Sequence, residues 1–205
     1  MSDLVRGKYP VTDPFFSALG QTANATQTNI ALRSNAKVIG INGLTDGAAL
    51  TTQVATAVAV PVEVGDVITK VTVFVGATGA GTPTNSWAAV YSGVLTTPAL
   101  LGQSTDGATA AIAASGAFVF TLASPLLITA ANAPYGYVYV SVMVKATTPP
   151  TLASATIATA VAYQWYTNAP LKMGAVTHGS TLTTTAPATI ASPTAQAVTP
   201  IVVLS

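Results

Sequence analysis

The sequence contains no cysteine and a single histidine, His178. Without cysteine the chain can form neither a disulfide framework nor a thiolate metal site, so packing, strand pairing or assembly must hold the fold together. Groups for acid–base catalysis are also scarce, because His178 is accompanied only by six carboxylates: Asp3, Asp13, Asp46, Glu63, Asp66 and Asp106. The scattered set predicts a protein that is not an enzyme and that needs no metal or other cofactor.

Charge is the second scarcity. Only 6% of the residues are charged, against about 25% in ordinary soluble domains. The net charge of +1 lacks the clustered Lys and Arg that bind phosphate backbones, so nucleic acid is not expected as a partner. After Lys70 the charged residues are Asp106, Lys145 and Lys172. Strands without charged residues protect their edges poorly, so we expect the subunit to associate with copies of itself.

The sequence also lacks the patterns of a signal peptide and of a membrane-spanning segment. Residues 1–8 contain no apolar stretch of the kind found in a signal peptide, so export by a cleaved signal is not expected. The uncharged stretch 107–144 is interrupted by prolines, glycines and many Ser and Thr residues, and it lacks the unbroken apolar run of about 18 residues that a membrane span needs. The sequence therefore predicts no membrane insertion.

The N-terminal part differs from the rest in pattern, and we assign residues 1–50 to a docking arm and residues 51–205 to a β domain. Within the arm, Thr12–Gly20 carries the start and stop signals of a short helix: an N-cap, Pro14 at the first helical position and a glycine after the end. Phe15, Phe16 and Leu19 would form its apolar face. Because so short a helix is unstable alone in water, these three residues are the predicted assembly-docking site.

From Lys37 onward apolar residues alternate with a period of two, which indicates strands. The clearest strand is 135–145, whose two faces are both largely apolar, so it should lie in the centre of a sheet. Other strands are predicted at about 54–60, 67–75, 86–92, 100–105, 117–122, 155–165, 181–185 and 200–204. Short strands separated by turns predict an all-β fold of the β-sandwich or jelly-roll type, preceded by the extended arm.

The segments Pro61–Val71, Trp87–Tyr91 and Tyr137–Val140 are the most distinctive of the chain. Together with the sequence around them, from about residue 58 to about 192, they resemble an all-β domain of virion structural proteins of actinobacterial tailed phages, the minor tail proteins. The resemblance implies a virion component of minor tail or capsid-decoration type, made in the host cytoplasm. Its partners would be other virion proteins and copies of itself, with a trimer expected from virion symmetry.

A different function remains open for one aromatic cluster. Rings and amides occur together before Pro170, at Tyr163, Gln164, Trp165, Tyr166 and Asn168. Flat rings with hydrogen-bonding amides are typical of carbohydrate contacts. The alternative function is therefore a receptor-binding module that recognises host cell-surface carbohydrate; equally, Tyr163 and Trp165 could fill a core or a subunit interface.

The remaining chemical residues have structural interpretations. His178 is predicted in a loop, Asp66 as the cap of the turn that precedes a strand, and Asp106 as a solvated carboxylate at an Asp-Gly turn. Trp87 and Tyr91 are predicted in the core.

Overall fold

The computed structural model describes residues 33–35, 44–94, 96–156, 175–196 and 198–205. These residues form strands and connecting segments and contain no helix. The strands are β1 (Arg33–Ser34), β2 (Leu44–Ala49), β3 (Ala55–Pro61), β4 (Val67–Phe74), β5 (Asn85–Tyr91), β6 (Leu100–Gln103), β7 (Ala117–Leu127), β8 (Tyr137–Lys145), β9 (Thr151–Thr156), β10 (Ala175–His178), β11 (Thr194–Gln196), β12 (Val198–Pro200) and β13 (Val202–Leu204).

The described strands form three sheets, and every strand pairing within them is antiparallel. The largest has the order β11-β10-β3-β8-β5-β6, the second β1-β13-β4-β7 and the third β12-β9-β2. The prediction of an all-β fold is thus confirmed. Strand β8 lies between β3 and β5 in the six-stranded sheet, and the predicted central position of this segment is also confirmed.

The main core contains inward-facing residues of both larger sheets, as in a β-sandwich. Period-two alternation places the apolar side chains of each strand on the face toward the other sheet. The six-stranded sheet contributes Val58, Val60, Ala88, Val90, Val138, Val140, Val142 and Val144, and the four-stranded sheet contributes Ile68, Val71, Val73, Phe120, Leu122, Val202 and Leu204.

The opposite face of the six-stranded sheet is buried as well. There Trp87, Tyr91, Tyr139 and Met143 form a second apolar cluster. Residues 179–193, which we call the strap, cover this cluster and pack Ala186 and Ile190 into it. A sheet covered on both faces explains why β8 is apolar on both sides. The prediction that Trp87 and Tyr91 lie in the core is confirmed, since neither has exposed surface.

The strap corrects one predicted strand. Residues 181–185 do not pair with any described strand, although four of the five are the β-branched residue threonine. Their backbone carbonyls instead accept hydrogen bonds from side chains, as Thr183 does from Trp87 and Thr184 from Gln103. Side-chain donors here take the place of the neighbouring strand, and the sequence pattern of the segment does not predict such long-range bonds.

Part of the segment predicted as an arm pairs with the body. β1 lies beside β13, and β2 lies beside β9 in the three-stranded sheet. The predicted helix at Thr12–Gly20 lies outside the described residues.

Candidate functional site

The two sets of predicted site residues lie outside the described part of the chain. This applies to the docking residues Phe15, Phe16 and Leu19 and to the carbohydrate candidates Tyr163, Gln164, Trp165, Tyr166 and Asn168. What the structure describes is the place where the N-terminal segment joins the body, and this junction is the candidate site.

An arginine fork fixes β1 to the body at this junction. Arg33 donates from Nε to Oδ2 of Asp66 at 2.8 Å and from Nη2 to Oδ1 at 2.9 Å. A second carboxylate, Glu63, lies 3.2 Å from Arg33 Nη2. The Asp66 side chain is 5% exposed, whereas that of Glu63 is 71% exposed. The paired, desolvated Asp66 is therefore the stronger anchor for Arg33.

Asp66 has a second role in the turn that leads into β4. Its Oδ2 accepts a hydrogen bond from the backbone N–H of Glu63 at 2.8 Å. Gly65 occupies the left-handed region of this turn, with φ of 98°, a conformation that glycine adopts without a steric penalty. The predicted turn-capping role of Asp66 is confirmed. The pKa of the Arg33 guanidinium lies above its ordinary value, mainly because of the hydrogen bonds to Asp66. Burial of Arg33 lowers this pKa, but by less.

Two polar residues after Arg33 extend the attachment. Asn35 is buried, and its amide donates to the carbonyl of Pro200 at 2.7 Å while accepting from the N–H of Val202 at 2.9 Å. Ser34 donates from its hydroxyl to the carbonyl of Val202 at 2.9 Å. The side chain of Asn35 thus satisfies backbone groups that the two-residue strand β1 is too short to reach. We call Arg33–Asn35 with its partners the clamp.

Exposed apolar side chains occur at the same end of the body. Val64 is 65% exposed in the Asp66 turn, and Leu127, opposite Val67 on the neighbouring strand, is 55% exposed. The connection from β7 to β8 adds Tyr135, which is 58% exposed. Backbone hydrogen bonds join these segments, from Gly65 N to Ile128 O and from Val62 N to Gly136 O. The end that carries the clamp is therefore also an apolar surface.

The single histidine lies elsewhere, at the end of β10 on the sheet face that carries the second cluster. It is 3% exposed, so the predicted loop position is wrong. His178 Nε2 and Ser141 Oγ share a hydrogen bond of 2.8 Å. Ser141 lies opposite Ala57 on one neighbouring strand and Ala89 on the other, and these small residues leave room for the ring. Pattern reading could not identify the pair, because it joins two strands that are not adjacent.

The serine–histidine pair does not have the geometry of a catalytic site. Ser141 has no exposed surface, and Nδ1 of His178 has no hydrogen-bond partner among the described residues. A catalytic histidine requires a third group that orients the ring from this nitrogen, and a serine nucleophile must be reachable by substrate. Burial lowers the pKa of His178 to about 4, so the ring is neutral at pH 7. The pair is a buried polar contact inside the second cluster.

Asp106 is bonded more extensively than its predicted turn position suggested. It accepts from the Asn85 amide at 2.7 Å and from the backbone N–H of Ser86 at 2.9 Å. The carboxylate is half-buried and fixes the beginning of β5. The expectation of a freely solvated carboxylate is thus wrong.

Within the described ranges, no three His, Asp or Glu side chains group in a way that could hold a metal ion. Nor does this part of the chain contain a helix with the length and apolar character needed to cross a membrane. No protein-family model matches the chain, and no curated protein matches it.

Proposed function

We propose that the protein is a bacteriophage virion structural subunit, of minor tail or capsid-decoration type, that attaches to the particle through its N-terminal arm. The body would be a jelly-roll-like β-sandwich displayed from the particle, and the short helix with Phe15, Phe16 and Leu19 would be the docking element. The virion assignment follows from the resemblance of the segments around Trp87–Tyr91 and Tyr137–Val140. The subunit would perform no catalysis.

The clamp is the observation that carries the role of the arm. A segment that holds a subunit on a particle must transmit force to a folded core, and the two bonds from Arg33 to the buried Asp66 provide such an attachment. Asn35 adds one hydrogen bond to the backbone of Pro200, just before β13, and one to the backbone of Val202 within β13. Strand β13 belongs to the main core. The exposed Val64 and Leu127 at the same end supply apolar surface that a neighbour could cover.

A second surface supports self-association. On the outer face of the four-stranded sheet, Phe74 and Val119 are 37% and 47% exposed. Their neighbours across β4 and β7 are Ala117 and Thr72, which are small or uncharged, and Lys70 is the charged residue of these two strands. Sheet faces with so little charge favour association, and a closed symmetric oligomer would cover them.

Incorporation into particles tests the proposal. The variant Phe15→Ser/Phe16→Ser/Leu19→Ser should fold normally and fall at least about tenfold in particles purified from infected cells, because the lost apolar contact is worth more than 1.4 kcal/mol. Ala113→Ser, which changes an exposed residue of the body between β6 and β7 that belongs to neither proposed surface, is the control and should be incorporated normally. Normal incorporation of the triple variant would refute attachment through the arm.

Sedimentation of the full-length protein tests the oligomer separately. We expect an oligomer at micromolar concentration, and a monomer at that concentration would contradict self-association. The carbohydrate-binding alternative at Tyr163–Asn168 stays a prediction, for which specific binding on a glycan array would be the supporting result.

A further inference from the structure

His178 is the one titratable group of the second cluster that can change its charge between neutral and mildly acid pH. Ser141 on β8 bonds to its Nε2, and Tyr91 on β5 meets the ring edge-on at a centroid distance of 5.6 Å. On β3 the residue opposite His178 is Ala55. Burial raises the pKa of Tyr91, so this phenol stays neutral in acid.

The strap that closes over this cluster brings no charge to it. Residues 179–193 contain no Asp, Glu, Lys or Arg, and neither does β11, which follows them. Protonation of His178 would therefore place a cation among apolar and neutral groups. The imidazolium would also carry an N–H at Nδ1, for which the described part of the chain supplies no acceptor, so the closed state strongly disfavours the proton.

The strap is attached outside any long strand ladder. An isolated bridge between Ala99 and Thr189 and single backbone bonds, such as that from Leu182 N to Gln53 O, fix it near its two ends. Side chains of the sheet donate to its carbonyls, Trp87 to Thr183 at 2.8 Å and Tyr91 to Pro187 at 3.0 Å. Gln103 makes two bonds, to Thr184 O and from Ala186 N, each of 2.8 Å. The strap begins directly after His178 at Gly179, where φ is 69°, so a glycine able to change conformation joins it to β10.

We propose that the strap is an acid-released cover: protonation of His178 opens residues 179–193 and exposes the aromatic face of the six-stranded sheet around Trp87 and Tyr91. The coupling is reciprocal, because an open strap gives the imidazole access to water and a closed strap withholds it. This device is additional to the proposed structural role and does not depend on it.

The pH dependence of strap opening follows from the difference between the pKa of His178 when the strap is closed and its pKa when the strap is open. In the closed protein the pKa of His178 is about 4, and its ordinary value, which an open strap restores, is 6.5. The equilibrium constant for opening should then rise about 30-fold between pH 7.5 and pH 5 and up to about 300-fold at still lower pH.

Hydrogen exchange of the full-length protein measures this constant through the strap amides of Leu182, Ala186 and Ile190, whose N–H groups are bonded in the closed state. After correction for intrinsic rates, we expect their protection to fall about 30-fold from pH 7.5 to pH 5, and to lie below that of the β8 amides at both values. His178→Gln, whose amide can still bond to Ser141, should show a change under threefold.

Gln103→Met is the control that loosens the strap without touching the histidine. It should lower strap protection at both pH values while preserving the 30-fold ratio between them. A ratio that persists in His178→Gln would overturn the proposal. Strap protection equal to that of β8 at both pH values would overturn it too, because the strap would then open only when the whole domain unfolds.

Discussion

Replacing Arg33 by methionine should destabilise the body more than is usual for a partly exposed side chain. Methionine keeps much of the apolar stem but removes the guanidinium that bonds to Asp66 at 2.8 and 2.9 Å. The Asp66 carboxylate, 5% exposed, would then keep only the N–H of Glu63 as a protein partner among those described. An unpaired buried carboxylate is one of the most destabilising defects in a folded protein.

The magnitude can be worked from these contacts. Hydrogen bonds to charged groups contribute about 1.5–3 kcal/mol each, and breaking a buried ion pair costs about 3–5 kcal/mol. The Arg33 side chain is 28% exposed, so water screens part of the interaction and the lower end of the range applies. We expect the free energy of unfolding to fall by about 3 kcal/mol in Arg33→Met, and by a smaller amount in Arg33→Lys, which cannot form the two-pronged contact.

Urea unfolding at pH 7, followed by circular dichroism, measures the change. Glu63→Gln is the matched control, because Glu63 also contacts Arg33 at 3.2 Å but is 71% exposed, and it should cost less than about 0.5 kcal/mol. A change below about 0.5 kcal/mol in Arg33→Met, or equal losses in both variants, would show that burial of Asp66 does not determine the strength of the clamp.

Three other predictions concern different parts of the fold. The free energy of unfolding should fall by about 3 kcal/mol as pH falls from 6.5 toward 4, because His178 binds a proton more tightly in the unfolded chain. This loss should be absent in His178→Gln, and an equal loss in that variant would show that His178 is not its cause. Gly93→Ala should cost more than about 2 kcal/mol, since a Cβ would collide with the backbone oxygen of Tyr137. Gly102→Ala, with nothing within 4 Å of the added carbon, is its neutral control in the same urea measurement. Trp87→Phe removes the bond to the strap and leaves a void, and we expect a loss of about 2–4 kcal/mol in urea unfolding; a loss below about 1 kcal/mol would mean that the second cluster repacks.

The local sequence pattern was sufficient to predict the strands that bury one or both of their faces. Alternation identified β3, β4 and β8, because a strand beside a core must place apolar residues at every second position. The two-sided apolar character of β8 also gave its central place. Strands of two to four residues, such as β1, β10 and β12, are too short for a period to be recognised.

The candidate site depended on contacts between residues far apart in sequence. The sequence identified Asp66 as a turn cap, yet its fork with Arg33 joins positions 33 residues apart. The same holds for the Ser141–His178 contact and for the bonds that hold the strap. In each case the partner is decided by which strands become neighbours, and no local preference encodes that choice.

The sequence by itself determined the all-β class, the scarcity of charge and the chemistry that one histidine and no cysteine permit. Those properties depend on composition and on a period of two, which are fixed before the chain folds. Only the tertiary structure decided that His178 is buried, that residues 179–193 cover a sheet instead of joining it, and that Arg33 anchors the N-terminal segment. Burial and long-range pairing arise when the sheets pack together, and they change the protonation and the partners of side chains that look unremarkable in the sequence.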